Sequence, residues 1–251
     1  MSNYTIDYYA FDHSFCELTL YESPPEYVNS YTSLFLSLVG LFGFLMNPQN
    51  HDVNLIYSAF VANGLTSFLY HYTNQIGWGL MDRFSMVMIA TSCYNVFIKL
   101  LEFKKIGYFH NLLRCANMWI TIYLLTVTGL HNEYLFNILF GCFLTSLFVL
   151  MIFLELYKSK LDIPHQILKY GWKGVLLILC AGIFWIVTEN LCSYHFIIKY
   201  LFGHAFWHIG VGLGGYYITL IPLYLYQKNT CSNMKTLFGI PYLENKHPFI
   251  I

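Results

Sequence analysis

Residues four apart on a helix turn the same face outward, and His204-Ala-Phe-Trp-His208 puts two imidazoles at that spacing inside an otherwise apolar stretch. Such a pair brings ring nitrogens within a few ångströms of each other, which suits zinc bonds of about 2.0–2.1 Å at tetrahedral angles. Ser67-Phe-Leu-Tyr-His71 repeats the spacing with a hydroxyl and an imidazole, and Asp82 follows after a short loop. With His71 as a third ligand, a zinc ion would keep its fourth position for water and lower that water's pKa to roughly 7, the catalytic form of such a site. Each residue also has a plainer reading. The paired histidines fit equally well as groups bonding a neighbouring helix, His71 as an interfacial side chain, Ser67 as a hydroxyl bonded to its own helix, and Asp82 as the N-cap of a following helix. Convergence of all five is what favours a site.

The elements that must position them are set by composition. The chain has 251 residues, 57% hydrophobic and only 10% charged, too few ionic groups to cover a water-soluble surface. Runs of about 20 apolar residues match a hydrocarbon core near 30 Å thick, and helix is the form that satisfies a lone backbone segment in lipid. Seven spans are predicted, at Glu26–Met46, Val53–Tyr72, Asp82–Leu101, Leu112–Leu130, Tyr134–Leu156, Gly174–Cys192 and Phe202–Tyr226. Residues 1–251 are therefore read as a single all-α membrane domain, a seven-transmembrane helix bundle with tails at 1–25 and 227–251.

Orientation follows from the basic residues. With an exoplasmic or lumenal N-terminus, Lys99, Lys104, Lys105, Arg114, Lys158, Lys160, Lys169, Lys173, Lys228, Lys235 and Lys246 collect on the cytosolic side, eleven of the 13 Lys and Arg. Only Arg83 and Lys199 fall opposite, and an even number of helices would move the three C-terminal lysines across, against the positive-inside rule. Seven spans with the C-terminus cytosolic satisfy it. The five candidate residues then share the exoplasmic end of the bundle, as do Cys16 and Cys192, which are predicted to form a disulfide in that oxidising compartment. The other cysteines read as free thiols. No basic start with an apolar stretch marks a cleavable signal peptide, since no Lys or Arg precedes Arg83. A formal charge of zero gives no cue for nucleic acid, and no glycine-rich phosphate loop is present.

Over most of its length the chain resembles the alkaline ceramidases, within a superfamily of seven-helix hydrolases that includes adiponectin-type receptors. The resemblance rests on Phe15-Cys16-Glu17, on Glu26-Tyr-Val-Asn29-Ser-Tyr-Thr-Ser33, on Ser67-x-x-x-His71 with Asp82 eleven residues later, and on the run from His204 through His208 to Gly212-Leu-Gly-Gly-Tyr216. It implies zinc on His71, His204 and His208, Asp82 moving the proton of the zinc-bound water, and Ser67 stabilising an oxyanion. The implied reaction is hydrolysis of the amide of ceramide to a sphingoid base and a fatty acid by zinc-bound hydroxide, in an endomembrane such as the endoplasmic reticulum or Golgi. A glycerolipid or GPI-anchor esterase on the same scaffold, or a receptor-like protein without turnover, remains compatible with these residues.

One part of the pattern departs. Alkaline ceramidases bind calcium beside the first helix through an acidic segment, and here Glu17 and Glu26 match its two glutamates. Ser14, Phe15 and Thr19 stand where the family has Asp, Trp and Asn. Calcium takes six to eight oxygens, so loss of a carboxylate and an amide should weaken such a site. The alternative is that Glu17 and Glu26 are solvated or cap the first helix.

Overall fold

The computed structural model describes residues 7–12, 15–21, 23–46, 51–103, 109–130, 132–227, 231–237 and 240–245. A single turn, α1 (Leu18–Tyr21), precedes α2 (Tyr27–Met46), α3 (His51–Thr73), α4 (Ile76–Phe103), α5 (Phe109–Gly129) and α6 (Glu133–Leu156). A second single turn, α7 (Lys158–Leu161), leads to α8 (His165–Leu191), a 3-10 turn at Phe196–Leu201, and α9 (Gly203–Gln227). The described residues close with an antiparallel hairpin of β1 (Cys231–Leu237) and β2 (Ile240–Asn245).

Among the described residues, six helices are long and apolar enough to cross a membrane: α2, most of α4 and α5, α6, α8, and α9 with the 3-10 turn before it. The other long helix, α3, has 23 residues and reaches a bilayer's thickness, but Asp52, Asn54, Asn63, Ser67 and His71 dilute its apolar character. Neighbours cover that polarity. Asn54, Asn63, Ser67 and His71 are all buried, and α3 packs on both α2 and α4 while touching α9. A helix sheltered in this way can carry the polar side chains that lipid would reject.

Small residues let the helices come close enough to hold one another without a hydrophobic driving force, as expected in lipid. Where α8 crosses α9, a Cβ added at Gly174 would overlap the carbonyl oxygen of Gly214, and one at Gly214 that of Gly174. At the start of α9 a Cβ at Gly203 would overlap Thr188 Oγ1, so the entry of that helix is pressed against α8. The apolar core joins α2, α3 and α9 through Leu36, Tyr57, Phe60 and Tyr216, and extends through Phe97, Phe136, Met151 and Leu168.

Several expectations are revised. Asp82 does not open a helix: α4 begins six residues earlier, at Ile76, after a loop whose Asn74 takes the left-handed conformation at φ 50°. That places Asp82 inside the second turn, where its carboxylate faces the bundle instead of capping a helix end. The helix predicted from Gly174 begins at His165, because Pro164 supplies the extended residue before it and Lys169 and Lys173 extend the helix beyond its apolar stretch. The C-terminal segment is not wholly helix and tail. Its hairpin packs Met234, Ile240 and Leu243 on the helical core, and Tyr216 Oη donates to the Pro241 carbonyl at 2.8 Å, an addition to the all-α expectation. Ser14, Lys104, Lys105, Lys228 and Lys246 lie outside the described residues. Where they are described, bases and acids at the end of the bundle away from Asp82 pair locally, Lys99 with Asp52 at 2.5 Å and Lys158 with Glu155 at 2.6 Å.

Candidate metal and active site

The last turn of α3 and the first turns of α9 bring three imidazoles to one point. His71, His204 and His208 are all buried, and one nitrogen from each lies within 4.8 Å of the others. Ring centroids are 4.7 Å apart for His71 and His204, 4.7 Å for His204 and His208, and 5.3 Å for His71 and His208. Nitrogens bonded to one ion at 2.0–2.1 Å sit about 3.4 Å apart, so side-chain movements of about 1 Å would close the group on a metal. The three histidines could therefore hold a metal ion.

Two observations give the ring orientations. His71 Nδ1 is 2.7 Å from Glu26 Oε2, leaving Nε2 buried with no hydrogen-bond partner in the direction of the other rings. A histidine held through one nitrogen by a carboxylate, with the other aimed into a cluster of imidazoles, is the arrangement typical of a metal ligand. His208 is oriented from α2: Thr32 Oγ1 donates to the Val28 carbonyl at 2.7 Å and lies 3.2 Å from His208 Nδ1. With its own proton committed, that hydroxyl accepts from Nδ1–H, and the Nε2 lone pair is left for a metal. Phe15, Trp185 and the histidines pack ring against ring, with Phe15 4.4 Å and Trp185 4.8 Å from His204. These aromatics exclude water around the imidazoles.

Ser67 and Asp82 meet the same cluster. Ser67 Oγ lies 3.4 Å from His208 Nε2 and within hydrogen-bonding reach of the Asp82 carboxylate. Asn63, one turn before Ser67 on α3, donates to Asp82 Oδ1 at 2.8 Å and fixes its rotamer. All five sequence candidates are thus gathered at one end of the bundle, and Ser67, Asp82, His204 and His208 line a single cavity. That cavity continues along α6 past Phe136, Phe140 and Leu147, a rise of roughly 21 Å from Glu133 at 1.5 Å per residue. Its walls away from the polar end are almost wholly apolar.

The glutamates matched to a calcium segment are engaged otherwise. Glu17 Oε1 and Oε2 accept from the backbone N–H of Val28 at 2.6 Å and Asn29 at 2.8 Å, capping the first turn of α2. Burial pushes the Glu17 carboxyl above its usual range, and those two donors pull against the shift. Glu26 accepts from Phe15 N, Asn29 Nδ2 and His71. All four carboxylate oxygens therefore already accept an N–H, and a calcium ion would compete with those bonds. Sequence spacing offered no sign that Glu26 serves His71, since 45 residues separate them; nor did it mark Thr32 or Asn63.

Cys16 and Cys192, for which a disulfide is expected from the sequence, lie together as two buried free thiols. Cys192 is hydrogen-bonded to Cys16, and together with burial this pushes the Cys16 thiol up. The segment holding Cys16 is tied to α8 by its backbone N–H, which donates to Glu189 Oε2 at 2.8 Å.

Known proteins resemble this chain over much of its length. The chain is similar to the alkaline ceramidase of Caenorhabditis elegans, 27% identical over 259 residues covering 95% of this chain and 90% of that protein. It is similar as well to the alkaline ceramidase of Drosophila melanogaster, 19% identical over 239 residues covering 89% and 83%, and to alkaline ceramidase 1 of Mus musculus, 25% identical over 199 residues covering 75% and 69%. The family model described as Ceramidase matches residues 12–247. That match takes in α1, every long helix among the described residues and the hairpin, and the chain belongs to the Ceramidase family.

Proposed function

We propose that this protein is a zinc-dependent intramembrane amidase that hydrolyses ceramide to a sphingoid base and a fatty acid. The observation that carries the reading is the His71 ring, held by Glu26 on one nitrogen and aimed with the other, unpartnered, at His204 and His208. An all-imidazole donor set suits zinc, copper, iron or nickel over calcium or magnesium, and three protein ligands fit a catalytic zinc. Bound there, zinc supplies Lewis acidity and activates water near neutral pH. The family supplies the substrate class, since relatives are named alkaline ceramidases.

This chain's own groups then have these roles. Asp82 takes the proton of the attacking water and returns one to the amide nitrogen as the C–N bond breaks, so that the amine leaves neutral. Ser67, beside both Asp82 and His208, donates its hydroxyl to the carbonyl oxygen as negative charge develops on it. Asn63 holds Asp82, while Thr32 and Glu26 hold the imidazoles. The apolar cavity along α6 takes a lipid chain, and Phe15 and Trp185 keep bulk water from the reacting atoms.

The whole chain acts as one domain of seven spans, α3 being the sheltered one, with the site at the exoplasmic end, the N-terminus exoplasmic and the C-terminus cytosolic. The distribution of Lys and Arg supports that orientation. The adjacent thiols of Cys16 and Cys192 are on the same side and form a disulfide on oxidation. The test is an assay of purified protein in detergent against ceramides, phospholipids and simple N-acyl amides, before and after chelation. Ceramide hydrolysis should vanish on metal removal and return with zinc, and His208→Ala should lose both turnover and bound metal. Full activity in the metal-free protein would eliminate the mechanism.

A further inference from the structure

The apolar cavity has a floor, and its depth can be counted along three helices. Ser67, Asp82 and His208 meet at the polar end, and Ile56 on α3, Cys93 on α4 and Thr219 on α9 line the other end. Eleven residues separate Ser67 from Ile56, Asp82 from Cys93 and His208 from Thr219. At 1.5 Å per residue all three helices give the same depth, roughly 17 Å. The far end is closed. Ile56, Cys93, Leu147, Ile178 and Thr219 are at most 8% exposed. One helical turn further down, Val53, Phe97, Met151 and Leu223 are at most 2% exposed and pack in the core without lining the cavity. Exposure is found towards the polar end instead, where Asn137 of α6 lines the cavity and is exposed.

We propose that this floor limits the length of the acyl chain the protein accepts, with Ala90 and Leu147 among the residues that set the limit. The inference rests on the lipid-amidase reading above and deepens it. An extended chain with C–C bonds of about 1.52 Å at about 111° advances roughly 1.25 Å per carbon, so the cavity seats about 14 carbons. The acyl chain is the one measured, because it starts at the carbonyl that Ser67 and the imidazoles face. The sphingoid chain starts beyond the amide nitrogen and the hydroxyl-bearing carbons. A longer acyl chain must either displace a packed layer of side chains, which protein interiors resist, or leave its carbonyl short of the imidazoles. Ala90 lines the same wall and is buried. It lies eight residues after Asp82, roughly 12 Å down, so a large side chain there would cut the space to about 10 carbons.

The test offers zinc-loaded protein a mixture of N-acyl sphingoid lipids that share one head, with acyl chains of about 8, 14, 18 and 24 carbons to bracket the calculated depth. Native mass spectrometry reads the lipid retained, and mass analysis of the fatty acids released reads turnover. Absence of release would sink the amidase reading, while retention still scores the length limit. The wild-type protein should favour the chain of about 14 carbons over that of about 24 by at least about tenfold, the scale of overpacking a closed core. Ala90→Phe should move the preference towards the chain of about 8 carbons with bound zinc retained. Leu147→Ala, which lowers the far end, should raise the chain of about 18 carbons relative to that of about 14. A zinc-loaded variant of either kind that treats all lengths as the wild-type protein does would overturn the assignment of the floor. Equal retention of the shorter and longer chains by the wild-type protein would overturn the proposal, whether or not either variant folds.

Discussion

Replacing Glu26 by Gln removes one charge and almost no volume, and it isolates what the carboxylate does for His71. Glu26 Oε2 lies 2.7 Å from His71 Nδ1 and 3.0 Å from Asn29 Nδ2, while Oε1 accepts from Phe15 N at 3.2 Å. A glutamine can offer its one carbonyl oxygen to His71 and Asn29, but its NH2 then meets the Phe15 N–H, donor against donor. Turned the other way, it loses His71. Either way the imidazole is less firmly aimed and less basic. Losing the carboxylate partner of a metal-bound histidine typically weakens metal affinity 10–100-fold, about 1.4–2.7 kcal/mol. Zinc affinity measured by competition with a chromogenic chelator, alongside far-ultraviolet circular dichroism, should show that loss with the helices retained. Alanine is the wrong probe, since it would leave buried N–H donors unsatisfied at about 1–3 kcal/mol each. Unchanged zinc affinity in Glu26→Gln, within twofold of the wild-type protein, would refute the argument and return Glu26 to a purely capping role.

Asp82→Asn keeps the hydrogen-bonding shape facing Asn63 and Ser67 but cannot take a proton, so kcat should fall about 10²–10⁴-fold with metal content and lipid binding retained; activity within tenfold of the wild-type protein would remove Asp82 from the proton path. Thiol labelling of the oxidised protein should spare Cys16 and Cys192 until reduction exposes both, whereas two freely labelled thiols would exclude their bond. Gly174→Ala places a methyl against the Gly214 carbonyl, and should destabilise the α8–α9 contact by about 1–3 kcal/mol, read as a lower melting temperature in detergent. An unchanged melting temperature would mean that the two helices separate at little cost.

Much of the site was legible because its spacing is local. Two residues four apart share a face on any helix, so His204 with His208, and Ser67 with His71, could be paired before any fold was known. The apolar runs likewise fixed where most helices lie, since a bilayer imposes length and composition together. Helix ends were less legible: Asp82 looked like a cap because the apolar run begins near it, but Ile76–Leu80 adds more than a turn before it and carries it inward. The sheltered α3 is less apolar than a lipid-facing span for the same reason that it matters, the polar side chains it carries towards the site.

Sequence by itself therefore determined the kind of solvent this chain is built for, the helices that fill it, and the three imidazoles with Ser67 and Asp82, because each of those follows from composition or from a period of a few residues. Only the tertiary structure decided that Glu26 serves His71 across 45 residues, that Thr32 orients His208 across 176, and that Asp12, Arg83 and Glu133 meet at the cavity. Those partnerships depend on how helices pack. A one-dimensional spacing carries no record of which faces of distant helices meet, whereas burial forces each polar group brought together there to find a partner.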